Sequence, residues 1–580
     1  MLPTTQKQDT AKQHQNVPTN TSARFVKTAI RNTDAPKVTP DKSKTANQSP
    51  VQQKMPTPIL PNRFEHHLKG YDQVLTKYVI DGFTKGFRIH ATAATHNIQA
   101  PKNSHIAVKH PDAVSQKISK ELSKGTIAGP FKQPPFPTFQ ISPLSLRPKN
   151  DGSGWRLLHD LSYPYDENSV NQAIPNNFKH VKYSSVQDAI NIIQDIGKGA
   201  YMAKADIASA FTLVPIHPDD YHLLGFKWDN SYYYYKTLPQ GAGSSCFIFE
   251  RISTALQWIL QTKIGIGQMV HYLDDFLFIS NSQIANQKSL QIFKALCDDI
   301  RIPINNSKTE GPTRDLIFLG IRLNSTNFTA SLPVQKVRQY TELMESFLKR
   351  KTCTLREMQQ VIGSLQFTTS VVRPGRTFIR RMINATIGVS KPYHHVHLTN
   401  DIKQDIKLWL TFIQSFNGIN FFIPNTPVPS HHINLHTDSC PSGYGGTFRS
   451  HYFYGKFPTS WAKLNICVLE LYPILLALQL FAHHMKNTHI VIYSDNIAVV
   501  AVLNKKTTKH TPMLKLLRHL VLHCLNSNIL FTAEHISGKL NILPDALSRC
   551  THTPQMLQAQ KMDIHPTEIP ENLLPHNYKM

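Results

Sequence analysis

Hydrophobic and polar positions divide this 580-residue chain into a polar start and two folded regions with different patterns. Residues 1–60 consist largely of Thr, Gln, Pro, Lys and Asn, with too few apolar side chains to offset the entropy lost on ordering. We therefore expect 1–63 to be a disordered basic tail. From 185 to 325, apolar β-branched runs alternate with helical spacings, which predicts an α+β fold.

Helical spacing continues beyond this region. Segment 112–125 predicts a helix that ends at a glycine, and a second helix is expected from Leu355 to about Phe367. Between them, one helix face from 333 to 351 carries Val334, Val337, Tyr340, Leu343, Met344, Phe347 and Leu348.

After residue 430 the pattern changes to strands separated by helices. The segments INLHTD, YGGTFRS, HYFYGKF, IVIYSD and ILFTAEH read as strands. Helices are predicted at about 466–485, 497–504 and 511–526, followed by a short final helix. Residues 553–580 are polar and contain proline, so we expect a C-terminal tail there.

The charge of the chain gives a first indication of function. The chain has 63 Lys and Arg against 38 Asp and Glu, a formal net charge of +25. Such an excess favours a polyanion partner such as nucleic acid, although a generic basic surface or one basic tail gives the same total. The first 60 residues carry nine Lys or Arg and three Asp or Glu, so most of the excess lies on the folded parts.

Cysteine use and hydropathy restrict the class of protein. The seven cysteines form no C-x-x-C pair, which argues against a zinc ribbon and a disulfide framework and favours a reducing compartment. We expect an intracellular protein of the cytoplasm or nucleus. No stretch approaches the ~18–20 uninterrupted apolar residues of a membrane helix, so no membrane partner is expected.

One group of carboxylates interrupts apolar, strand-like sequence. Asp274 and Asp275 lie within MVHYLDDFLFI, and Asp206 follows a short apolar strand 68 residues upstream. Strands that deliver carboxylates to one point can hold two divalent cations for phosphoryl transfer, Mg²⁺ or also Mn²⁺. Asp-Asp is also a common turn pair. Between these acids, Gln240 and Gly241 begin a stretch of small residues that lets a base pair approach the backbone.

A second set of carboxylates lies in the C-terminal region. Asp438, Glu470, Asp495 and Asp545 are separated by 32, 25 and 50 residues and fall at strand ends and helix starts. Four carboxylates at one place repel each other unless two cations bind. Each acid alone has another interpretation: Asp495 could belong to an N-cap pair and Asp545 could be a helix-start charge.

Two positions in this region bear on the interpretation. His535 lies before the last aspartate, and we assign it no catalytic part. Pro473 follows Glu470 by three residues and is expected to delay or kink the helix.

These motifs resemble those of known enzymes. Asp206, Leu238–Gly241 and Tyr272–Asp275 resemble motifs A, B and C of reverse transcriptases. The segments GTIAGPFKQPPFPTFQISPLSLRPK, WRLLHDLSYP, SSCFIFERISTALQWIL and VVRPGRTFIRR resemble the polymerases of DIRS-like retrotransposons, the tyrosine-recombinase retroelements, from about residue 70 to about 550. The order of strands and acids after residue 430 resembles ribonuclease H.

The resemblance implies roles for further residues. Arg156 would lie along the triphosphate of the incoming nucleotide, with Lys149 as a second phosphate cation. Phe211 would stack under the sugar and exclude a ribose 2′-hydroxyl, and Gln240 would contact the nucleotide near its sugar. Lys308 would protonate pyrophosphate. Arg156 could instead be a surface arginine, Phe211 a core residue and Lys308 an exposed loop lysine.

The resemblance also implies an architecture. It is an α+β multidomain protein, with a right-hand polymerase followed by a ribonuclease-H-like α/β domain. Phe318–Ile321 resembles a primer-grip hairpin. A basic cluster suited to a duplex backbone, or else a solvated basic face, comprises Arg373, Arg376, Arg380 and Arg381. The predicted domains are fingers and palm at 64–330, thumb and connection at 331–428, and ribonuclease H at 429–552.

The sequence thus predicts an RNA-directed DNA polymerase with ribonuclease H activity and two Mg²⁺ ions per site. Its expected partners are an RNA template, a DNA primer, an RNA–DNA hybrid and dNTPs. No protease motif, zinc knuckle or recombinase arrangement is found, so a separately encoded recombinase and a capsid-type protein are expected. Two alternatives are a copy that only coats RNA, disfavoured because all seven acids are present, and an RNA-dependent RNA polymerase, disfavoured by the nuclease-like region.

Overall fold

The computed structural model describes residues 54–92, 100–149, 152, 154–165, 168–417 and 435–578. The predicted N-terminal tail lies largely outside these residues. Its boundary at 63 is too late, because the chain already packs at Ile59, which is only 4% exposed. The amide of Leu60 donates to the carbonyl of Ile300 at 3.0 Å, and a helix begins at Pro61.

The first part of the described chain combines short helices with small sheets. Its elements are, in chain order, α1 (Pro61–His67), α2 (Gln73–Lys85), α3 (His105–Lys109), α4 (Pro111–Ser123), β1 (Ile127–Phe131), β2 (Leu144–Pro148), β3 (Trp155–His159), α5 (Val170–Ala173), α6 (Val186–Ile196), β4 (Tyr201–Asp206), β5 (Gly225–Trp228), β6 (Ser231–Tyr235), α7 (Ser245–Trp258), β7 (Met269–Tyr272), β8 (Asp275–Ser280), α8 (Gln283–Ile300), β9 (Glu310–Thr313), β10 (Asp315–Phe318), β11 (Ile321–Asn324) and β12 (Thr329–Ser331).

A four-stranded antiparallel sheet, in the order β7-β8-β4-β9, is the centre of this region. Alternate residues of β8 point to opposite faces, as the period of a strand requires. Leu277 and Ile279 pack with the residues of α6, whereas Phe276 and Phe278 pack with those of α8. Helices therefore cover both faces, and the polar ends of the strands are left to form a site.

The next part contains two longer helices and a small connecting unit. Its elements are α9 (Val334–Leu348), β13 (Thr352–Thr354), α10 (Leu355–Thr368), α11 (Arg380–Ala385), β14 (His395–His397) and α12 (Asn400–Phe416). The predicted apolar face of α9 holds at Met344 and Phe347, which are buried. It fails at Val334, which is 69% exposed because it opens the helix beyond the packed turns.

The C-terminal part forms a five-stranded mixed sheet covered by helices. Its elements are β15 (Leu435–Ser439), β16 (Gly443–Phe448), β17 (His451–Lys456), α13 (Ile466–Met485), β18 (His489–Ser494), α14 (Ile497–Lys505), α15 (Thr511–Asn526), β19 (Leu530–His535), α16 (Ile542–Ser548) and α17 (Pro554–Ala559). The strand order is β17-β16-β15-β18-β19. Strands β15 to β17 are antiparallel, and β15, β18 and β19 are parallel. Helix α13 begins at Ile466 despite Pro473, so the expected late start is wrong.

The C-terminal segment packs against the domain before it. The amide of Asp563 donates to Ser450 O at 2.8 Å and that of Thr567 to Tyr452 O at 2.7 Å, along the edge of β17. The hydroxyl of Tyr472 donates to Leu573 O at 2.9 Å. Residues 554–578 therefore cover an open sheet edge, a structured role that a tail would not have.

One helix has the length and composition of a membrane span. Helix α13 has 20 residues and a mean hydropathy of 1.8 over its most apolar window. Glu470 and Gln479 interrupt it, so it is not the uninterrupted apolar run that the sequence was expected to lack. Two-thirds of that window is buried inside the fold, where a helix packed between a sheet and α15 needs apolar residues on all sides.

Candidate active sites

The strand ends of the central sheet bring three carboxylates together. Asp206 ends β4, Asp275 begins β8, and the two residues are direct cross-strand partners. Asp274 occupies the turn between β7 and β8. Partners in an antiparallel pair have their Cβ atoms about 4.5–5.5 Å apart, so the acids that lie far apart in sequence form one cluster.

The turn that carries Asp274 is fixed by its own backbone. Leu273 adopts a left-handed conformation with φ of 53°, and the hydroxyl of Ser253 in α7 donates to its carbonyl at 2.8 Å. The carbonyl of Asp274 accepts from the amide of Ile207 at 3.0 Å. These bonds hold the turn rigidly against β4.

Burial and like charge shift the proton affinities of these acids. Burial, and then the charge of Asp206, raises the pKa of Asp274. Burial, and then the charges of Asp274 and Asp206, raises the pKa of Asp275 to about 7. The cluster is therefore short of positive charge, and oxygen ligands in this number are what Mg²⁺ prefers. The donor set fits the predicted metal.

Two side chains from the loop after α8 contact Asp206. Lys308 Nζ lies 3.0 and 3.1 Å from its two carboxylate oxygens, and Asn305 Nδ2 donates to Oδ2 at 3.2 Å. Burial opposes the charge of Lys308, but the hydrogen bond and charge of Asp206 raise its pKa overall. Sequence analysis placed Lys308 near the leaving phosphate and missed Asn305, whose loop position carries no distinctive pattern.

The predicted nucleotide cations lie on the hairpin of β2 and β3. Arg156 is exposed, and its charge lowers the proton affinity of Asp274. The amide of Lys149 donates to Gly154 O at 2.8 Å at the end of the hairpin. Arg147, which sequence analysis did not select, is the direct cross-strand partner of Arg156. Two like charges placed opposite each other on paired strands are destabilising. A bound anion would relieve this repulsion, so the pair of arginines suits an anion-binding site.

The Gln240–Gly241 turn is packed against the end of β3. The carbonyl of Gln240 accepts from the amide of His159 at 3.2 Å. Gly241 has φ of +147°, and a Cβ there would lie 1.9 Å from His159 O. Asn171 Nδ2 donates to Gly241 O at 2.9 Å. This close approach of two backbones explains the glycine and leaves Gln240 exposed.

Phe211 lies just beyond Asp206 in a short 3₁₀ helix, Ala210–Leu213. Its ring meets Phe249 of α7 edge to face, with centroids 5.8 Å apart. The side chain is only partly buried against the core. The ring therefore has one face packed in the core and one accessible face. Phe211 can be a core residue and still be able to contact a sugar.

The predicted basic cluster is not one surface. Arg376 is exposed and Arg380 is half-buried. Arg381 is engaged within the protein, with Nη2 3.3 Å from Asp401 Oδ2 and Nη1 3.4 Å from Asp405 Oδ1. The backbone of Arg373 begins a 3₁₀ helix, and its side chain lies outside the described residues.

A second carboxylate cluster forms on the C-terminal sheet. Asp438 lies in β15, Glu470 in the first turns of α13, and Asp495 directly after β18. One ligand oxygen from each lies within 4.8 Å of those of the other two. Asn496, not Asp495, caps α14, with Oδ1 accepting from Ala498 N at 3.0 Å. Asn496 is thus the N-cap residue, and the Asp495 side chain is a member of the carboxylate cluster.

In this cluster the pKa of Glu470 is raised further above its usual value than that of Asp275 in the first cluster. Burial, and then the charges of Asp438 and Asp495, raises the pKa of Glu470 to about 9. Burial raises the pKa of Asp438 to about 6, although the Ser548 hydroxyl donates to its Oδ2 at 2.7 Å and opposes this. Buried carboxylates with so little positive charge beside them fit divalent cations.

Asp545 stands apart from the three clustered acids. It lies in the first turn of α16, about half-exposed, and Arg549 Nε donates to its Oδ1 at 2.7 Å. Its charge still contributes to the raised pKa of Asp438. His535 Nε2 lies 3.1 Å from Asp495 O, a contact with backbone and not with a clustered carboxylate.

Comparisons with known proteins bear on the first cluster. Residues 148–323 match the family model described as "Reverse transcriptase (RNA-dependent DNA polymerase)". This range includes Asp206, Asp274 and Asp275 and ends before α9. The chain therefore contains a reverse transcriptase domain.

Longer similarities extend over most of the chain. The Transposon Tf2-3 polyprotein of Schizosaccharomyces pombe is 22% identical over 491 residues, covering 80% of this chain and 33% of that polyprotein. The Tf2-7 polyprotein of the same organism is 21% identical over 488 residues, with the same coverage. The chain thus spans about a third of the length of these relatives.

Among solved structures, the foamy viral protease-reverse transcriptase dRH in complex with ds DNA has a TM-score of 0.46 and 16% identity, covering 86% of this chain and 84% of that chain. The foamy viral protease-reverse transcriptase in complex with RNA/DNA hybrid has a TM-score of 0.44 and 17% identity, with coverage of 92% and 67%.

Proposed function

We propose that this chain copies retroelement RNA into DNA and then degrades the RNA strand of the resulting hybrid. The observation that carries the proposal is the presence of two separate carboxylate clusters. Each forms at strand ends of its own sheet, and Glu470 joins the second from helix α13. The first lies inside the matched reverse transcriptase range. The second joins Asp438, Glu470 and Asp495 on a five-stranded sheet in the order β17-β16-β15-β18-β19.

In the polymerase site, Asp206, Asp274 and Asp275 would hold two Mg²⁺ ions, and Mn²⁺ has the same ligand preference. Metal held there would supply a lowered pKa for the attacking primer hydroxyl and charge stabilisation of the leaving pyrophosphate. The rigid turn at Leu273 fixes the carboxylates before substrate binds. Lys308, which contacts Asp206, must release that carboxylate for a metal and is then within reach of the phosphates.

The fingers hairpin would bind the triphosphate of the dNTP. Arg156 offers a planar fork for bidentate phosphate contact, and Lys149 adds a second cation at the end of the hairpin. Gln240 and Gly241 would lie against the sugar and base. The accessible face of Phe211 would exclude a 2′-hydroxyl, so that dNTPs are used in preference to NTPs.

The duplex would leave the polymerase site past the thumb. Arg376 and Arg380 are the members of the predicted basic cluster that remain available for phosphates, and Arg373 belongs to the same segment. Arg381 contributes less, because its guanidinium is already paired with Asp401 and Asp405. The net charge of +25 supplies a general attraction for template, primer and hybrid.

In the nuclease site, Asp438, Glu470 and Asp495 would hold the metal pair, and Asp545 would complete it from the edge. Metal held by these residues would supply an activated water and stabilisation of the leaving oxygen. The chain's contribution is the close approach of three carboxylates and the Ser548 hydroxyl that orients Asp438. To bind a metal, Asp545 must first give up its hydrogen bond with Arg549.

The finer origin of the chain belongs to the same proposal. The segments quoted above support a DIRS-like element, in which a tyrosine recombinase and a capsid-type protein are encoded separately. The protein would then act inside the cell, in the cytoplasm or the nucleus. Sequencing the flanks of the gene decides this point, because an adjacent integrase in place of a recombinase would contradict the DIRS-like assignment.

The two activities can be separated by substitution. Asp274→Asn should lower DNA synthesis on a primed RNA template by about 10³-fold or more, since a metal ligand contributes several kcal/mol to the transition state. Cleavage of a preformed RNA–DNA hybrid should remain. Asp495→Asn should have the opposite effect. Both activities are measured in Mg²⁺ with labelled primer and labelled RNA.

Asp298→Asn is the matched control, because this acid is exposed on α8. If Asp274→Asn and Asp495→Asn leave both activities intact, the metal-site assignment is wrong. A wild-type chain that binds RNA but never extends a primer with dNTPs would show a binding protein, and a preference for NTPs would show an RNA polymerase.

A further inference from the structure

A fully buried carboxylate lies between the connection and the C-terminal domain. Asp405, in α12, is 0% exposed. Arg518 of α15 reaches it from the C-terminal domain, with Nη2 2.5 Å from Oδ1. Nη1 of Arg381, in α11, lies 3.4 Å from the same oxygen. We call Asp405, Arg381 and Arg518 the joint.

Apart from the contact of Arg381 with Asp401, the joint packs against aromatic and other neutral groups. The Arg518 guanidinium lies over the ring of Phe378, 4.7 Å from its centroid. The hydroxyl of Thr377 donates to Lys506 O, the residue after α14, at 2.7 Å. Gly375 packs so closely on Trp409 of α12 that a Cβ would lie 2.3 Å from the indole. The segment before α11 is thus inserted between the two domains.

The apolar core also crosses this boundary without a break. Phe378, Trp409 and Phe412 of the connection belong to the same buried cluster as Leu517 and Val521 of α15. Domains joined only by a linker have their own cores and move relative to each other. A shared core with a buried ion pair indicates one preferred orientation.

The ion pair can fix the orientation of the two domains, because its contacts require one geometry whereas apolar packing tolerates several. Burying charges is costly, so a buried pair contributes little net stability, but removing one partner leaves an uncompensated charge and is strongly destabilising. Among the described residues, Asp405 Oδ2 and Arg518 Nη1 have no further hydrogen-bond partner. Any rotation of α15 away from α12 would therefore leave Asp405 with only the longer contact to Arg381.

We propose that the joint holds the nuclease domain in one orientation on the connection, so that RNA is cut at one fixed distance behind the growing DNA end. Asp405 and Arg518 are positioning residues that act through their contact with each other, and Arg381 supports them through its contact with Asp405. The proposal rests on the proposed function, since it concerns how the two sites share one hybrid.

The test uses the full chain on a labelled RNA template with a recessed DNA primer, and records where the RNA is cut relative to the primer 3′ end. Wild type should give one dominant cut. Asp405→Asn and Arg518→Gln should lose the dominant cut and spread cleavage over neighbouring positions. Primer extension and total cleavage of the hybrid should be retained.

Lys407→Gln is the matched control, because Lys407 is exposed on the same helix as Asp405, and it should keep the wild-type cut. Scattered cuts by wild type, or one unchanged cut in both joint variants, would overturn the proposal. If Asp405→Asn loses both activities through misfolding, Arg518→Lys is tested instead. This variant retains the positive charge but lacks the planar guanidinium. An unchanged cut in Arg518→Lys also counts against the joint.

A measurement without catalysis separates this proposal from the proposed function. Small-angle scattering of the wild-type chain should fit one rigid arrangement of 55–580, and the Asp405→Asn chain should have a larger radius of gyration. If wild type neither extends primers nor cuts hybrid but the scattering difference is present, the proposed function fails and the joint stands. An equal radius in both chains overturns the joint.

Discussion

The two carboxylate clusters differ in how their charge is balanced. In the first, Lys308 contacts Asp206 at 3.0 Å, and the charge of Arg156 is felt at Asp274. In the second, no salt bridge among the described residues joins a Lys or Arg to Asp438, Glu470 or Asp495. Arg549 bonds to Asp545 and reaches Asp438 only through its charge, which lowers the pKa of that acid. The pKa of Asp275 is raised to about 7, whereas that of Glu470 is raised to about 9.

The clusters also differ in how they are assembled. The first depends on elements far apart in the chain: strand β3, the Gln240–Gly241 turn, the β7–β8 hairpin and the loop after α8. The second is contained in one sheet and the helices that cover it. The first site should therefore be sensitive to backbone geometry at a distance, and the second to the presence of cations.

Gly241→Ala gives the largest expected effect on this comparison. The new Cβ would lie 1.9 Å from His159 O at φ of +147°, and such overpacking and strain cost about 2–5 kcal/mol. Primer extension should fall by about 100-fold or more, while hybrid cleavage stays near wild type. Both are measured on the same preparation.

Gly267→Ala is the control for this substitution, because a Cβ there meets nothing within 4 Å and φ is not in the left-handed region. Equal loss of both activities in Gly241→Ala would show that the two sites do not assemble independently.

The second prediction concerns pH in the absence of metal. The folded state raises the pKa of Glu470 from 4.5 to about 9 and that of Asp438 from 3.8 to about 6. The folded chain therefore binds protons more tightly than the unfolded chain, and its stability falls as pH rises from about 4.5 towards 9. Since a tenfold change in proton affinity is about 1.4 kcal/mol, the fall should reach a few kcal/mol.

Hydrogen exchange in EDTA measures this fall at α13 and at the β7–β8 hairpin in one experiment. Protection of α13 should decrease more steeply with pH than that of the hairpin, and Mg²⁺ should restore it. Glu470→Gln should flatten the dependence. If protection fell more steeply with pH at the β7–β8 hairpin than at α13, the first cluster and not the second would be the one more destabilised by its own charge.

The smallest effect is expected at Lys308. The Lys308 side chain is 57% exposed, and its ammonium contacts Asp206 at 3.0 Å, where a bound metal would replace it. Exposed ion pairs contribute about 0.2–1 kcal/mol, so Lys308→Gln should lower the Mg²⁺ concentration for half-maximal DNA synthesis about two- to fivefold.

The Mg²⁺ midpoint of hybrid cleavage serves as the internal control and should not change. Lys288→Gln, on the exposed face of α8, should leave both midpoints alone. A higher midpoint for DNA synthesis in Lys308→Gln would mean that the lysine helps the metal to bind.

Local patterns in the sequence predicted most of the elements. Helices were expected at 112–125, 466–485 and 511–526, and the structure has Pro111–Ser123, Ile466–Met485 and Thr511–Asn526. The wrong domain boundaries fall at the two ends of the chain. The segment 554–578 is polar, yet Asp563 and Thr567 form backbone hydrogen bonds along the edge of β17. Backbone pairing leaves no mark on composition, so a polar segment with this role reads as a tail.

The sequence by itself determined which residue types could do chemistry, because acids that interrupt apolar strands are visible in one dimension. Only the tertiary structure decided how they are used. It paired Asp206 with Asp275, gave Asp206 a lysine and an asparagine, left Asp545 outside the second cluster and committed Arg381 to Asp405. These outcomes depend on contacts between residues up to about a hundred positions apart, and such contacts are fixed by packing and not by local spacing.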